Sequence, residues 1–226
     1  MGLFGMFMEL TGRSCLVVGG GTVGTRKVQS LLDAGGNVTV VSREVTSELR
    51  QLIDEGIATY INGPFKPGHL DGVFLCVSAM DERAENERVA DSCRKRGVLV
   101  NVVDDRLLSD FFFPSLVRRG NLAIAVSSGG VAPSMVKRIR QDLEAHYGPE
   151  YEPAVCILGR LREKLKDAGV AGDCLAGVMG RAASLPLAGM IADRRPDEII
   201  RRIREVVADG DLGAAVDLDD LLDIEK

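Results

Sequence analysis

A chain of 226 residues with 46% hydrophobic and 27% charged side chains has an ordinary globular composition. It is long enough for one large domain, or for a medium domain with an appendage. The net charge of −5 argues against a nucleic-acid binder, which gathers basic residues on its binding face.

Five cysteines without a CxxC pair, and only two histidines, form no metal-ligand pattern and fit a reduced, cytoplasmic compartment. The opening MGLFGMFMEL lacks the basic n-region of a signal peptide, and no apolar run approaches the ~20 residues that span a bilayer. A cytoplasmic protein with neither a membrane nor a nucleic-acid partner is therefore expected.

In chain order, Ser14–Val18 reads as an apolar strand, followed by Gly19–Gly21 and a helix over about Val23–Ala34 that Gly35-Gly36 ends. Val38–Val41 is the next strand and Ser47–Asp54 a short helix. Thr59–Ile61, Val73–Val77 and Val98–Val103 are further strands, with a helix over Glu82–Arg96 before the last. Strands apolar on both faces and separated by helices predict a parallel sheet covered on both sides. The fold class expected is α/β, with a Rossmann-type doubly wound sheet.

After about residue 110 the pattern changes. Phe111–Leu116 and Leu122–Ser127 flank VRRGN and predict an antiparallel hairpin. Ser127–Gly130 then leads to Pro133, in the first turn of a helix carrying Met135, Val136, Ile139 and Leu143. Beyond Gly148-Pro149 the pattern is helical throughout, with a Gly/Ala-rich stretch over Gly169–Gly189 expected to be mobile and an acidic end, Asp217–Lys226, expected as a frayed helix or tail. Three regions are expected: a dinucleotide-binding domain over 1–113, a small α+β region over 114–148 and a helical C-terminal region over 149–226.

Gly19-Gly20-Gly21-Thr22-Val23-Gly24 satisfies G-x-G-x-x-G between a strand and a helix, the context that gives this motif its meaning. Gly19 allows the tight bend, Gly21 lets a pyrophosphate approach the backbone, and Gly24 lets helix and sheet pack closely. Thr22 and Val23 open the helix whose free amides face the phosphates. At the end of the second strand, where an acid usually holds the adenosine ribose, stands Ser42-Arg43-Glu44. Ser42 can bond a ribose hydroxyl and Arg43 can accept a 2′-phosphate, while Arg43 and Glu44 can equally be solvated loop charges. The cofactor expected is NAD or NADP, with the choice open.

Further motifs extend the fingerprint: GGGxVxxRK over Gly19–Lys27, NVVDD over Asn101–Asp105, FFFPS over Phe111–Ser115, and LAIAVSSGG over Leu122–Gly130 before Pro133-Ser134. In this order, over about Phe7–Tyr147, they resemble the precorrin-2 dehydrogenase/sirohydrochlorin ferrochelatase family, which also forms the front half of siroheme synthases. The resemblance implies NAD(P)-dependent oxidation of precorrin-2 to sirohydrochlorin, a homodimer interlocked through the region after residue 113, and Asp104 as the catalytic residue. In some members it also implies insertion of Fe²⁺, as substrate, by the same aspartate; the residues leave this activity open.

Asp104 lies at a strand's carboxyl end, where ligands of such sheets bind, and a carboxylate there can accept a proton. Chemistry alone does not separate Asp104 from Asp105, or either from a solvated loop acid. A carboxylate-rich substrate calls for cations and donors, and Arg118, Arg119, Arg138 and Ser128 are the substrate-binding candidates, with Lys137 and Arg140 nearby. No resident metal site is expected. Two other readings stand beside the enzyme: a non-catalytic NAD(H)-sensing regulatory module, and an unrelated oxidoreductase on the same fold.

Overall fold

A computed structural model describes residues 2–210 and 216–223. The chain divides into two compact units, Met1–Phe113 and Pro114–Lys226.

The first unit is built on five strands: β1 (Ser14–Gly20), β2 (Asn37–Val45), β3 (Thr59–Asn62), β4 (Leu75–Ser78) and β5 (Leu99–Val102). They lie in the order β3-β2-β1-β4-β5, every neighbouring pair parallel. Helix α1 (Thr22–Leu32) and α2 (Ser47–Asp54) bring Val28, Leu31 and Leu49 to one core with Cys15, Val17 and Val40. Helix α3 (Arg83–Arg96) brings Val89, Ala90 and Cys93 to the other, against Leu16, Cys76 and Val100. Strands buried on both faces need apolar residues at every position, which is why no alternation is visible along them. Strand order reverses direction at β1, so the crevice beyond the carboxyl ends of β1 and β4 is the topological switch point.

Two expectations for this unit are corrected. The second strand does not stop at Val41: it runs to Val45, shifts register at Gly19, and pairs Gly20 with Val45, so Ser42-Arg43-Glu44 belongs to the strand rather than a loop. Phe111–Pro114 does not start the hairpin, because Pro114 offers no N–H for a ladder; Phe111 and Phe113 pack on the core of the first unit instead.

The second unit holds a two-stranded antiparallel ribbon, β6 (Ser115–Arg119) and β7 (Leu122–Val126), joined at Gly120-Asn121 with Gly120 at φ +53°. Among the described residues five helices follow: α4 (Pro133–His146), α5 (Tyr151–Asp167), α6 (Gly172–Ala183), α7 (Leu187–Ala192) and α8 (Pro196–Ala208). Ile157, Leu161, Leu165, Val178, Ile203 and Leu221 centre their shared core.

Gly169–Gly189 is helical over most of its length, with Val178, Ala182 and Leu187 buried. The acidic end is likewise no frayed helix in its described part. Leu218 and Leu221 are buried in the helical core, so the segment over 216–223 docks through apolar residues set among its acids. The remainder of that end, 224–226, lies outside the described residues. Among the described residues no helix is long and apolar enough to cross a membrane.

Candidate functional site

The glycine turn is shaped by close approach. A Cβ on Gly19, which adopts φ +111°, would stand 2.3 Å from the Ala79 carbonyl oxygen, and one on Gly24 would stand 2.1 Å from the Gly19 carbonyl oxygen. Gly21 is different: nothing lies within 4 Å of the Cβ position, so the space over the turn is open. Helix α1 has no side-chain cap and no acid in its first turn, leaving its first amides and their partial positive charge to an incoming anion. Exposed Gly21 and Thr22 and half-buried Val23 border that space. The chain thus provides the cradle a dinucleotide pyrophosphate needs.

A relay of hydroxyls locks the turn. Thr25 Oγ1 donates to the Gly21 carbonyl (3.0 Å), so the bond between Thr25 and Thr46 (2.8 Å) is donated by Thr46. Thr46 Oγ1 in turn accepts from the Leu49 amide, capping α2. Ser42 is part of the same lock: its Oγ accepts from the Gly20 amide (3.0 Å) and donates to the Glu44 carbonyl (2.6 Å). With its single hydrogen spent, Ser42 holds the glycine turn, a role the sequence reading had not given it. The extension of β2 across Gly20 is the cause, and Tyr60 pins it by donating to the Ser42 carbonyl (3.0 Å). The side chains of Arg43 and Glu44 are exposed, and neither forms an ion pair among the described residues.

Beside the turn opens a cleft of about 360 Å³ whose walls include Val23, Ala79, Met80, Asn86, Asp104 and Asp105. Here the two aspartates separate. Asp105 Oδ1 accepts from the amides of Leu107 (3.0 Å) and Leu108 (3.2 Å), and its Oδ2 lies 3.5 Å from Arg83 Nη2. Asp105 is thus occupied in building the loop after β5. Asp104 is exposed, adopts the left-handed region at φ +60°, and among the described residues its carboxylate makes no hydrogen bond or ion pair. A non-glycine residue held there costs about 1–3 kcal/mol, a strain that clusters at functional positions.

Asn86 of this cleft and Lys27 of α1 were given no role from sequence. Buried Asn86 accepts from Ser78 Oγ (2.6 Å) and the Met80 amide (3.3 Å) and donates to the Met80 carbonyl (2.8 Å), fixing the Ala79–Met80 wall against Gly19. The readable signal is its place in the buried stripe Asn86, Val89, Ala90, Cys93 on α3, where a polar residue needs a reason. Half-buried Lys27, quoted above only as part of a motif, lays its ammonium 3.8 Å from the centroid of the Phe113 ring. Burial, and then the charge of Arg26, push the Lys27 ammonium below the usual lysine range, while Asp104 pulls it back up.

In the second unit, Arg119 holds backbone carbonyls. Its guanidinium donates to the carbonyls of Tyr147 (2.8 Å), Glu144 (3.2 Å) and Arg118 (2.9 Å), closing the end of α4. These bonds take three of the five N–H groups of its guanidinium. Half-buried Ser128 accepts from the Ala132 amide (2.9 Å) and so closes the loop before α4, while Arg118 and Arg138 are exposed. Among the described residues no group of three or more His, Cys, Asp or Glu side chains is arranged to hold a metal ion.

Residues 6–115 match a family model described as putative NAD(P)-binding, and residues 119–146 one described as sirohaem biosynthesis protein central. The siroheme synthase of Photorhabdus laumondii is 42% identical over 161 residues, 71% of this chain and 34% of that protein. The siroheme synthase of Neisseria meningitidis serogroup C is 41% identical over 169 residues, 74% of this chain and 35% of that protein. The chain spans about a third of the length of these curated relatives. A solved structure described as SirC, precorrin-2 dehydrogenase, superposes with a TM-score of 0.74 at 26% identity, covering 90% of this chain and 100% of that one.

Proposed function

The chain belongs to the precorrin-2 dehydrogenase family that forms the front module of siroheme synthases, and from that premise we propose that it oxidises precorrin-2 to sirohydrochlorin. When bound at the glycine turn, NAD⁺ or NADP⁺ supplies the hydride acceptor. The observation that carries the reading is the disengaged carboxylate of Asp104, facing a cleft shared with Val23 of the dinucleotide-cradling helix.

The oxidation removes a hydride and a proton from the macrocycle. Asp104 takes the proton on a carboxylate oxygen that no neighbour occupies. Asp105 and Arg83 hold the loop that presents it, and Asn86 fixes the opposite wall. Exposed Arg118 and Arg138 are proposed to meet carboxylates of the substrate, with Ser128 shaping the loop beside them. Arg43 suits a 2′-phosphate and Glu44 a ribose hydroxyl, so relative kcat/KM with NADP⁺ and NAD⁺ reads the cofactor choice.

Conversion of precorrin-2, followed by absorbance with each dinucleotide, is the test. Asp104→Asn should lower kcat by about 10²–10⁴-fold while the dinucleotide Kd from calorimetry stays put. Full turnover by that variant would remove Asp104 from the chemistry. The same assay with Fe²⁺ added reads insertion of the metal into the product, the second activity proposed for this aspartate. Tight NADH binding without any effect on the tetrapyrrole would favour the sensing module instead. We also propose that the protein works as a homodimer in the cytoplasm, a reducing compartment that suits its five free cysteines.

A further inference from the structure

We propose that Arg83 binds a carboxylate of the tetrapyrrole substrate in the cleft that Asp104 borders. This deepens the reading of the chain as a precorrin-2 dehydrogenase and rests on it.

Charge is the first support. The cleft is lined by Asp81, Asp104 and Asp105, and among the described residues that line it Arg83 is the one cation. Three acids in so small a space repel a substrate whose rim carries carboxylates. Such a substrate approaches Asp104 only where a positive group offsets that field. Arg83 is the first residue of α3, whose N-terminus has no side-chain cap, and Glu85, the acid of that first turn, is paired with Arg88 (2.8 Å). A guanidinium beside the partial positive charge of a helix start is an unfavourable neighbour in the free protein, and a bound anion relieves it.

The seat of the side chain is the second support. Glu87, one turn along α3, accepts from Arg83 Nε (2.8 Å), and Asp105 Oδ2 lies 3.5 Å from Nη2. These two carboxylates brace the guanidinium between α3 and the loop after β5. Nη1 has no acceptor among the described residues, and the side chain is 72% exposed. A planar fork held on one side and open at its end is preorganised to take a carboxylate. Asp105 directly follows Asp104, so an anion bound here anchors the macrocycle by its rim beside the proton acceptor. The dinucleotide has a separate anion cradle over Gly21 at the start of α1.

The test uses the full chain, with sirohydrochlorin titrated by absorbance as a probe that needs no turnover, and precorrin-2 as substrate. Arg83→Gln should raise the sirohydrochlorin Kd and the KM for precorrin-2 by about tenfold. Its dinucleotide Kd and melting temperature should stay close to the parent's, because the side chain is exposed. Arg83→Lys, which keeps the charge and loses the fork, should fall between the two. Salt should weaken sirohydrochlorin binding more steeply in the parent than in Arg83→Gln, since one ion pair separates them. A loss confined to kcat would make Arg83 only a support of the Asp105 loop, and a loss confined to the dinucleotide would assign it to a phosphate. Either overturns the proposal, as do parent-like Kd and KM in an active Arg83→Gln. If the parent binds sirohydrochlorin through Arg83 but leaves precorrin-2 unoxidised, the oxidation falls and this site stands. A parent that binds no tetrapyrrole overturns both.

Discussion

Gly21 and Gly24 stand in one turn, yet a methyl group would meet different surroundings at each. At Gly24 it would fall 2.1 Å from a backbone carbonyl that cannot retreat without moving β1. At Gly21 it would enter open space. Gly24→Ala should therefore destabilise the protein by about 1–3 kcal/mol and weaken dinucleotide binding with it. Gly21→Ala should leave the melting temperature unchanged and weaken only the dinucleotide, by occupying the pyrophosphate's approach. Calorimetric unfolding and dinucleotide titration of both variants separate the two effects; equal melting losses would refute the distinction. Asp104 and Asp105 make the same point for side chains. Neighbours in sequence and identical in chemistry, they part because one carboxylate caps amides and meets Arg83 while the other is disengaged.

Among the elements, β2 and the C-terminal segment depart most from what local pattern implies. A polar triplet after an apolar strand reads as a loop, and only the register with β1 carries Ser42-Arg43-Glu44 onward to Val45. The segment over 216–223 is acidic, yet Leu221 is fully buried and the Asp220 carboxylate pairs with Lys164 on α5. Arg160 adds a bond to the Asp220 carbonyl (3.0 Å). The partnership with Lys164 depresses the Asp220 carboxyl and raises the Lys164 ammonium. Its contribution is therefore present between the usual carboxylate and ammonium ranges. It fades as pH falls through the depressed Asp220 value or rises through the raised Lys164 value. Hydrogen exchange at the Leu221 amide, which donates to the Leu218 carbonyl, reads the docking. Asp220→Asn should reduce its protection near neutrality and make no difference once acid has protonated the parent; a pH-independent difference would count against the pair. Asp220 is exposed while Lys164 is half-buried, so salt should weaken the pair only in part.

For the molecule as a whole, the first unit places the glycine turn and Asp104 at the carboxyl edge of one sheet, while the second leaves apolar surface uncovered. Val131, Met135 and Ile139 are 78%, 64% and 39% exposed around the start of α4, and Leu116 on β6 is 37% exposed. Met135 and Ile139 lie on one helical face, which gives the proposed homodimer an apolar surface to bury. In line with the proposed homodimer, Met135→Glu should convert dimer to monomer in light scattering without lowering the stability of the helical core. An unchanged mass would move the interface elsewhere.

Sequence alone determined the dinucleotide fold, because the helical and strand periods and the glycine spacing are local properties that each segment carries by itself. It also singled out Asp104 as one of two acids at a strand's carboxyl end. Tertiary structure decided what those residues are free to do. Ser42 is taken up by an amide 22 residues away, Arg119 by carbonyls 25 and 28 residues on, and Lys27 is set on a ring far along the chain. Whether a hydroxyl, guanidinium or ammonium is available to a ligand depends on which partner reaches it first, and such partners are fixed only when distant segments pack.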